Sequence, residues 1–195
     1  METDGGGWTV VQRREDGLVN FQKTWREYNN GFGDPDSEHW LGLQKMYLLN
    51  KNGNTKIRFD LWQFKDNKYS YAEYKKFKLS DESDRYRLRI GRYSGTAGDS
   101  FHYGHYYLRH NGQRFSTFDL DNDASSSRNC AQLYHGGWWF ANCMASNLNG
   151  IYYVGHQNGE YQSYTRDGIM WQTLDGYRSL METEIKVRPA KFKCC

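Results

Sequence analysis

From Thr55 onward the chain alternates polar and apolar residues with a period of two. Lys56-Ile57-Arg58-Phe59-Asp60-Leu61 does so, as does Tyr69 to Lys78, and Arg85-Tyr86-Arg87-Leu88-Arg89-Ile90 is the clearest case. Such alternation sets one face of an antiparallel strand on a core and the other in water. Turns at Asp66-Asn67 and Ser80 to Asp84 join these runs into a meander of about three strands. Upstream, Trp8 to Gln12 reads as a strand. Asn20 is placed to cap a helix running to about Tyr28, with Phe21 and Trp25 on one face and Asn29-Asn30-Gly31 as its end. Ser37-Glu38 can begin a further helical turn, and Leu43 to Leu49 reads as an amphipathic helix ending at Asn52-Gly53. Beyond Gly98 both periodicities fade. They return at Ile169-Met170-Trp171 and at Glu184 to Arg188, just before Pro189.

Between these lies Phe118 to Gly150, an irregular stretch rich in Asp, Asn, Ser and Gly, residues that favour turns. So long a structureless segment inside a compact domain is usually functional or otherwise pinned. Asp119, Asp121 and Asp123 alternate along it, followed by Ser125 and Ser127. Hard cations such as Ca²⁺ take carboxylate, carbonyl and water oxygens, and such a loop can turn several toward one point. A solvated acidic turn explains the same composition. The glycine and glutamate of an EF-hand loop are missing. Asp99, alone in a Gly-rich turn, reads as a cap. Of the adjacent Trp138 and Trp139, one is expected in the core and the other half-exposed.

Composition narrows the class. The 195 residues suffice for one domain with a core, and neither an internal repeat nor a linker is visible. Only 37% of residues are hydrophobic, yet 17% are aromatic, with 16 Tyr and 7 Trp. This argues for a loop-rich domain filled by rings and against disorder. A net charge of +3 is too balanced to imply nucleic acid. No apolar run is long enough for a transmembrane helix. His102 and His105 have neither an HExxH motif nor a nearby cysteine. No G-x-S-x-G elbow, P-loop or nucleophile–base pairing is visible, so an enzyme is not expected. The four cysteines are Cys130, Cys143, Cys194 and Cys195. A Cys130–Cys143 disulfide, closing a loop worth roughly 3 kcal/mol, fits an extracellular setting. Zinc held by all four is the alternative, although CxxC spacing is absent.

The ordered set of motifs is more specific. Asp4-Gly5-Gly6-Gly7-Trp8-Thr9-Val10, Gln12-Arg13-Arg14, Gly31-Phe32-Gly33, Glu38-His39-Trp40-Leu41-Gly42, Asn111-Gly112, Phe115-Ser116-Thr117, Asp119 to Asp123, Asn129-Cys130-Ala131, Gly137-Trp138-Trp139, Cys143 and Asn147-Leu148-Asn149-Gly150 resemble the fibrinogen C-terminal-like domain over essentially the whole chain. The resemblance implies an α+β fold for residues 1–195. A central antiparallel sheet with flanking short helices would occupy about 1–110, and a loop-rich subdomain with calcium and a ligand pocket about 111–190. It implies Ca²⁺ on the side chains of Asp121 and Asp123 and the carbonyls of Ser125 and Ser127, with Asp119 in support. It also implies the Cys130–Cys143 bridge and a cis Asn142–Cys143 bond that turns the Cys143 and Met144 amides toward the pocket.

By the same resemblance Tyr134, Asn142, Cys143, Met144, Tyr164, Thr165 and Tyr177 surround a ligand. The chain departs from relatives that bind acetylated sugars in having Met144 for His, Thr165 for Tyr and Tyr177 for a frequent Trp. A thioether cannot donate a hydrogen bond and makes a more apolar, adaptable wall. Arg166 stands where clotting-type relatives have an acid, which disfavours a cationic ligand and favours an acidic one. Relatives begin earlier with a cysteine pair, so an N-terminal segment, with any collagen-like or coiled-coil stalk, is expected upstream of Met1. Cys194 and Cys195 suit interchain linkage or an appended tail. The expected function is a secreted, calcium-dependent recognition module of innate immunity. It would bind glycans or acetylated groups on microbial surfaces and be oligomeric at full length. A protein-binding module for a receptor or matrix partner, of angiopoietin or tenascin type, is the alternative.

Overall fold

The computed structural model describes residues 5–51, 54–153 and 166–192. Among them an eight-stranded antiparallel sheet forms the centre of the molecule. Its strands are β1 (Thr9–Arg14), β2 (Phe32–Gly33), β3 (His39–Trp40), β4 (Thr55–Gln63), β5 (Tyr69–Leu79), β6 (Leu88–Ile90), β7 (Tyr93–Gly95) and β10 (Leu180–Pro189). Their order is β2-β3-β1-β10-β4-β5-β6, with β7 also on β5. The last strand thus fills the gap between β1 and β4, pairing Val187 with both Thr9 and Ile57. A second ladder joins β8 (Ser146–Asn147) to β9 (Met170–Trp171).

Period-two alternation does what it dictates on β4. Ile57, Phe59 and Leu61 join the buried core, while Arg58 and Asp60 point to the opposite face. On β5 the inward set changes parity from Ala72 and Tyr74 to Phe77 and Leu79, and a bulge between the pairs Ile57↔Tyr74 and Thr55↔Phe77 absorbs the extra residue. The clearest alternation in the sequence becomes strand only in its second half. Arg85 and Tyr86 take positive φ values of 57° and 49°, continuing the turn from Ser80, and β6 starts at Leu88. β7 carried no sequence signal.

The helices are α1 (Trp25–Asn30), α2 (Leu43–Asn50), α3 (Cys130–Leu133) and α4 (Gln172–Asp175). Asn20 does not cap α1; its Oδ1 accepts from the Gln22 amide in a local turn. Thr24 is the cap, and its reciprocal bonds with Glu27 form a capping box. Gly31 ends α1 at φ 97°, where a Cβ would lie 2.4 Å from the Leu41 carbonyl oxygen. Ser37-Glu38 starts no helix. The Ser37 and Asp34 amides close a turn between β2 and β3, and Glu38 is sealed beneath it. α2 buries Leu43, Met46 and Asn50 and leaves Leu48 and Leu49 exposed; the expected stop at Asn52-Gly53 falls outside the described residues.

The core is a relay of rings from sheet to loops. Phe59 meets Phe101 (5.0 Å between centroids) and Trp171 (5.2 Å), and Phe101 meets Trp138 (6.2 Å). Trp138 meets Trp139 (5.3 Å), Trp139 meets Phe115 (5.1 Å), and Phe115 adjoins Trp40 and Tyr28. Both tryptophans of the pair are buried, correcting the expectation that one would be half-exposed. In a loop-built region, rings of opposite orientation can each find a packed neighbour.

Candidate functional site

The irregular segment is pinned by side chains reaching backbone groups, since it has little ladder of its own. The Gln12 Nε2 donates to the Leu148 carbonyl at 2.9 Å, and Arg14 Nη1 donates to the Gly150 carbonyl at 2.8 Å. Arg14 is held in turn by Glu38 and lies 3.9 Å from the centroid of the Phe21 ring. Asn147 donates to the Tyr134 carbonyl and Asn149 to that of Gly137. The Asn-Leu-Asn-Gly stretch is therefore strapped to β1 on one side and to the Tyr134–Gly137 turn on the other.

His110 sets the next piece. It is fully buried; its Nδ1 bonds the Trp139 carbonyl (2.8 Å), and its Nε2 accepts from the Ala145 and Ser146 amides (both 3.0 Å). That pattern requires a neutral ring with the proton on Nδ1. Burial pushes the imidazole down to about 4, with the carbonyl pulling the other way. Just before these amides the Asn142–Cys143 peptide bond is cis. The Asn142 amide donates to the Tyr107 carbonyl at 2.7 Å, joining this bend to the turn at Tyr106–Leu108.

A disulfide joins Cys130 to Cys143, which excludes these two from a four-cysteine zinc site; Cys194 and Cys195 lie outside the described residues. Asn129 caps α3 by accepting from the Gln132 amide. Asp123 approaches this joint: its Oδ2 accepts from the Cys130 amide (2.8 Å) and its Oδ1 from the Ser125 amide (2.7 Å). The Asp121 Oδ1 accepts from the Asp123 amide at 3.1 Å. Burial pushes the Asp123 carboxyl up to about 6, against the pull of the two amides, and the Asp121 carboxylate beside it adds to the rise. The Ser125 and Ser127 carbonyls accept no hydrogen bond among the described residues. Asp119 faces elsewhere, its Oδ1 accepting from Thr117 Oγ1 and from the Trp25 amide that opens α1. Among the described residues no group of three or more His, Cys, Asp or Glu side chains is placed to hold a metal. A cation here would draw on Asp121, Asp123 and backbone oxygens. Such an all-oxygen set suits a hard ion and is unsuited to zinc.

Beside this joint opens a cleft of about 560 Å³. The structure brings Tyr134, Asn142, Cys143, Met144 and Tyr177 together on its walls, as expected; Tyr164 and Thr165 lie outside the described residues. Tyr106, Tyr107, Leu108, Arg128 and Arg166 complete the lining. Of these, sequence reasoning had singled out Arg166 only. The crowding of rings in His105-Tyr106-Tyr107 was the available sign of a display surface. Met144 and Cys143 are buried at the floor, and Tyr106, 80% exposed, stands at the rim. Asp99 is a local cap, as expected, accepting from the His102 amide and ring and from the Tyr74 hydroxyl.

The family model for the C-terminal globular domain of fibrinogen beta and gamma chains matches residues 1–190. The chain belongs to this family. Fibrinogen C domain-containing protein 1-B of Xenopus laevis is 48% identical over 197 residues, covering 98% of this chain and 40% of that protein. Techylectin-5A of Tachypleus tridentatus is 47% identical over 196 residues, covering 98% and 63%. The chain thus spans less than two thirds of the length of these relatives. Among solved structures, the fibrinogen-like globe domain of human ANGPTL6 has a TM-score of 0.88 at 44% identity, with 98% of this chain and 82% of that chain covered. A lamprey fibrin D-dimer complexed with the peptide Gly-His-Arg-Pro-amide has a TM-score of 0.87 at 38% identity, covering 98% and 64%. The fold is the fibrinogen-like globe, an α+β arrangement with a central antiparallel sheet and few short helices. The family is one of binding modules.

Proposed function

We propose that this fibrinogen-like globe is the calcium-dependent recognition module of a secreted protein, binding glycans or acetylated groups on microbial surfaces through the cleft at Met144. The observation that carries the reading is the cleft itself. Its floor, the Asn142–Met144 backbone, is covalently joined through Cys143 to Cys130, whose amide is held by the Asp123 carboxylate. Calcium, when bound, supplies the positive charge that lets the Asp121 and Asp123 carboxylates remain ionised side by side. This chain's residues do the rest. Asp123 fixes the start of α3, the disulfide carries that position to the floor, the Tyr107 carbonyl holds the Asn142 amide, and His110 holds the Ala145 and Ser146 amides that follow the floor. A disulfide is at home outside the cell, which supports secretion, and a relative named as a lectin supports a saccharide ligand. One shallow cleft binds weakly, so the full-length protein multiplies it by oligomerising.

A protein ligand is the second reading, favoured by the apolar Met144 at the floor and by the peptide in the lamprey fibrin complex. Calorimetric titration of N-acetylglucosamine and acetate into the calcium-loaded chain, repeated with Met144→His and after chelation, separates the two. The saccharide reading expects binding that is lost with calcium and strengthened by the added donor. Calcium uptake without binding of either probe, in parent and variant, would move the assignment to a protein partner.

A further inference from the structure

The cleft has a feature that neither the family membership nor the floor geometry requires: its lining includes two arginines and no acidic side chain among the described residues. Arg128 comes from the segment between the acidic loop and α3, and Arg166 from the segment that leads to β9. Neither forms an ion pair with a described residue. Several other arginines, among them Arg26, Arg89 and Arg109, likewise form no ion pair with a described residue, but they do not line this cleft; others are paired. Arg13 meets Glu184, Arg14 meets Glu38, Arg58 meets Asp60, and Arg87 and Arg114 share Asp84.

Among the described residues, the acids nearest in sequence to the cleft are turned to other work. Asp167, beside Arg166, is buried and accepts from the Tyr153 hydroxyl at 2.8 Å. Asp175, close before Tyr177, is taken by Arg178 (3.1 Å) and Gln63 (3.0 Å). Asp123, upstream of Arg128, holds the Ser125 and Cys130 amides. No described carboxylate therefore meets either cation in the cleft that they line.

Arg166 is also pre-set. Its guanidinium carbon lies 4.0 Å from the centroid of the Tyr177 ring. Stacking fixes the plane of the group and uses none of its N–H donors, so its edge remains available for a forked bond to an oxyanion. Arg128 is exposed and lines the same cleft, on a long side chain that can carry its charge to a bound anion. Around them the rings of Tyr106, Tyr107, Tyr134 and Tyr177 offer apolar faces with hydroxyl tips. That mixture suits a sugar ring, which presents C–H faces and hydroxyls together.

We propose that the cleft selects an acidic saccharide, a sugar whose carboxylate or sulfate is gripped by Arg128 and Arg166 while its ring lies on the tyrosine rim. This rests on the reading of the cleft as the ligand site and adds its charge selectivity. Two cations acting on one anion also make the affinity salt-sensitive, because both arginines lie near bulk solvent.

Glucuronic acid, N-acetylglucosamine 6-sulfate, uncharged N-acetylglucosamine and a glutamate-rich peptide would be titrated separately into the calcium-loaded chain. Arg128→Gln, Arg166→Gln and the double variant would follow. The expected result is at least tenfold tighter binding of an acidic sugar than of the neutral one, a loss of about tenfold for each single variant, and convergence of the double variant on the neutral-sugar affinity. Whether the carboxylate or the sulfate arm responds more strongly identifies the anion. Equal binding of neutral and acidic sugars, unchanged in the variants, would leave the cleft reading in place and overturn the charge selection. Tighter, arginine-dependent binding of the peptide than of either acidic sugar would overturn the saccharide assignment. Silence of all four probes would overturn it together with the reading on which it rests.

Discussion

On the sheet face turned away from the ring core, Arg58, Asp60, Lys186 and Glu184 interlock, whereas at the cleft Arg128 and Arg166 face no carboxylate among the described residues. Arg58 Nε lies 2.8 Å from Asp60 Oδ1, and Lys186 contacts both Asp60 and Glu184. Tyr69 closes the set by accepting from Arg58 and donating to Asp60. Arg58, Asp60 and Lys186 are almost wholly removed from water, Glu184 is half-buried, and Tyr69 lies at the exposed edge of the set. Buried charge survives only when it is paired and hydrogen-bonded, so each member depends on the others. The cleft arginines are exposed and pair with no described carboxylate, Arg166 resting on the Tyr177 ring. The same residue types thus fix strand register in one place and stay available to a ligand in the other.

The comparison breaks most sharply at Asp60. Asp60→Ala removes the carboxylate that Arg58 and Lys186 share, leaving Arg58 to Glu73 and Tyr69 and Lys186 to Glu184, and the expected loss is about 3 kcal/mol in denaturant unfolding. Pairing it with Lys186→Met should recover part of that loss; a double variant as unstable as the single would show that the network is not the cause.

Part of this contrast was readable in the sequence. Alternation from Lys56 to Leu61 placed Arg58 and Asp60 opposite the core correctly, because a strand leaves its side chains no other choice. It could not reveal that Lys186 and Glu184 would cover them, since β10 joins the sheet through pairings far apart along the chain. Thr24-Trp25-Arg26-Glu27 carried the capping-box signature that decides where α1 begins, and Asn20 competed for the role only by being an earlier cap former. Arg85-Tyr86-Arg87 alternated like a strand, yet the Tyr86 amide bonds the Asp81 carbonyl and its ring stacks on Trp25. Tertiary packing overrode the local pattern there. A motif resemblance brought Tyr134, Asn142, Cys143, Met144 and Tyr177 together, and these five line one cleft. Arg128 and the Tyr106–Leu108 turn reach the cleft through loop convergence, for which no periodic signal exists.

The next test asks whether the loop region has a dependence of its own. His110 is held neutral, so on acidification the unfolded chain takes up this proton first. Stability should therefore fall as pH drops from 6.5 toward about 4, by roughly 3 kcal/mol in all. Asp123 opposes this in the metal-free chain: held up to about 6, it takes its proton first in the folded state and favours folding as pH falls from there toward 3.8. Thermal melts of metal-free Asp123→Asn over this window should expose the His110 loss unmasked. A flat profile would mean that the ring does not carry the Ala145 and Ser146 amides.

The smallest expected effect belongs to the cleft arginines. Arg128→Gln should change stability by no more than about 0.5 kcal/mol, since it is exposed and breaks no hydrogen bond or ion pair with a described residue. A larger loss in a urea titration would place Arg128 among the structural charges and erase its difference from Arg58.

The placement of β10 also bears on how the chain is made. β1 and β4 are synthesised early, but the gap between them closes only when Leu180–Pro189 arrives. Until then both strands present open edges flanked by Val11, Ile57, Phe59 and Leu61, all destined for the core. Pairings as distant as Thr9 with Val187 make for slow closure. A nascent chain in this state is a natural client for chaperones during synthesis, and a message cut short before β10 would yield a sticky half-sheet in place of a smaller working globe.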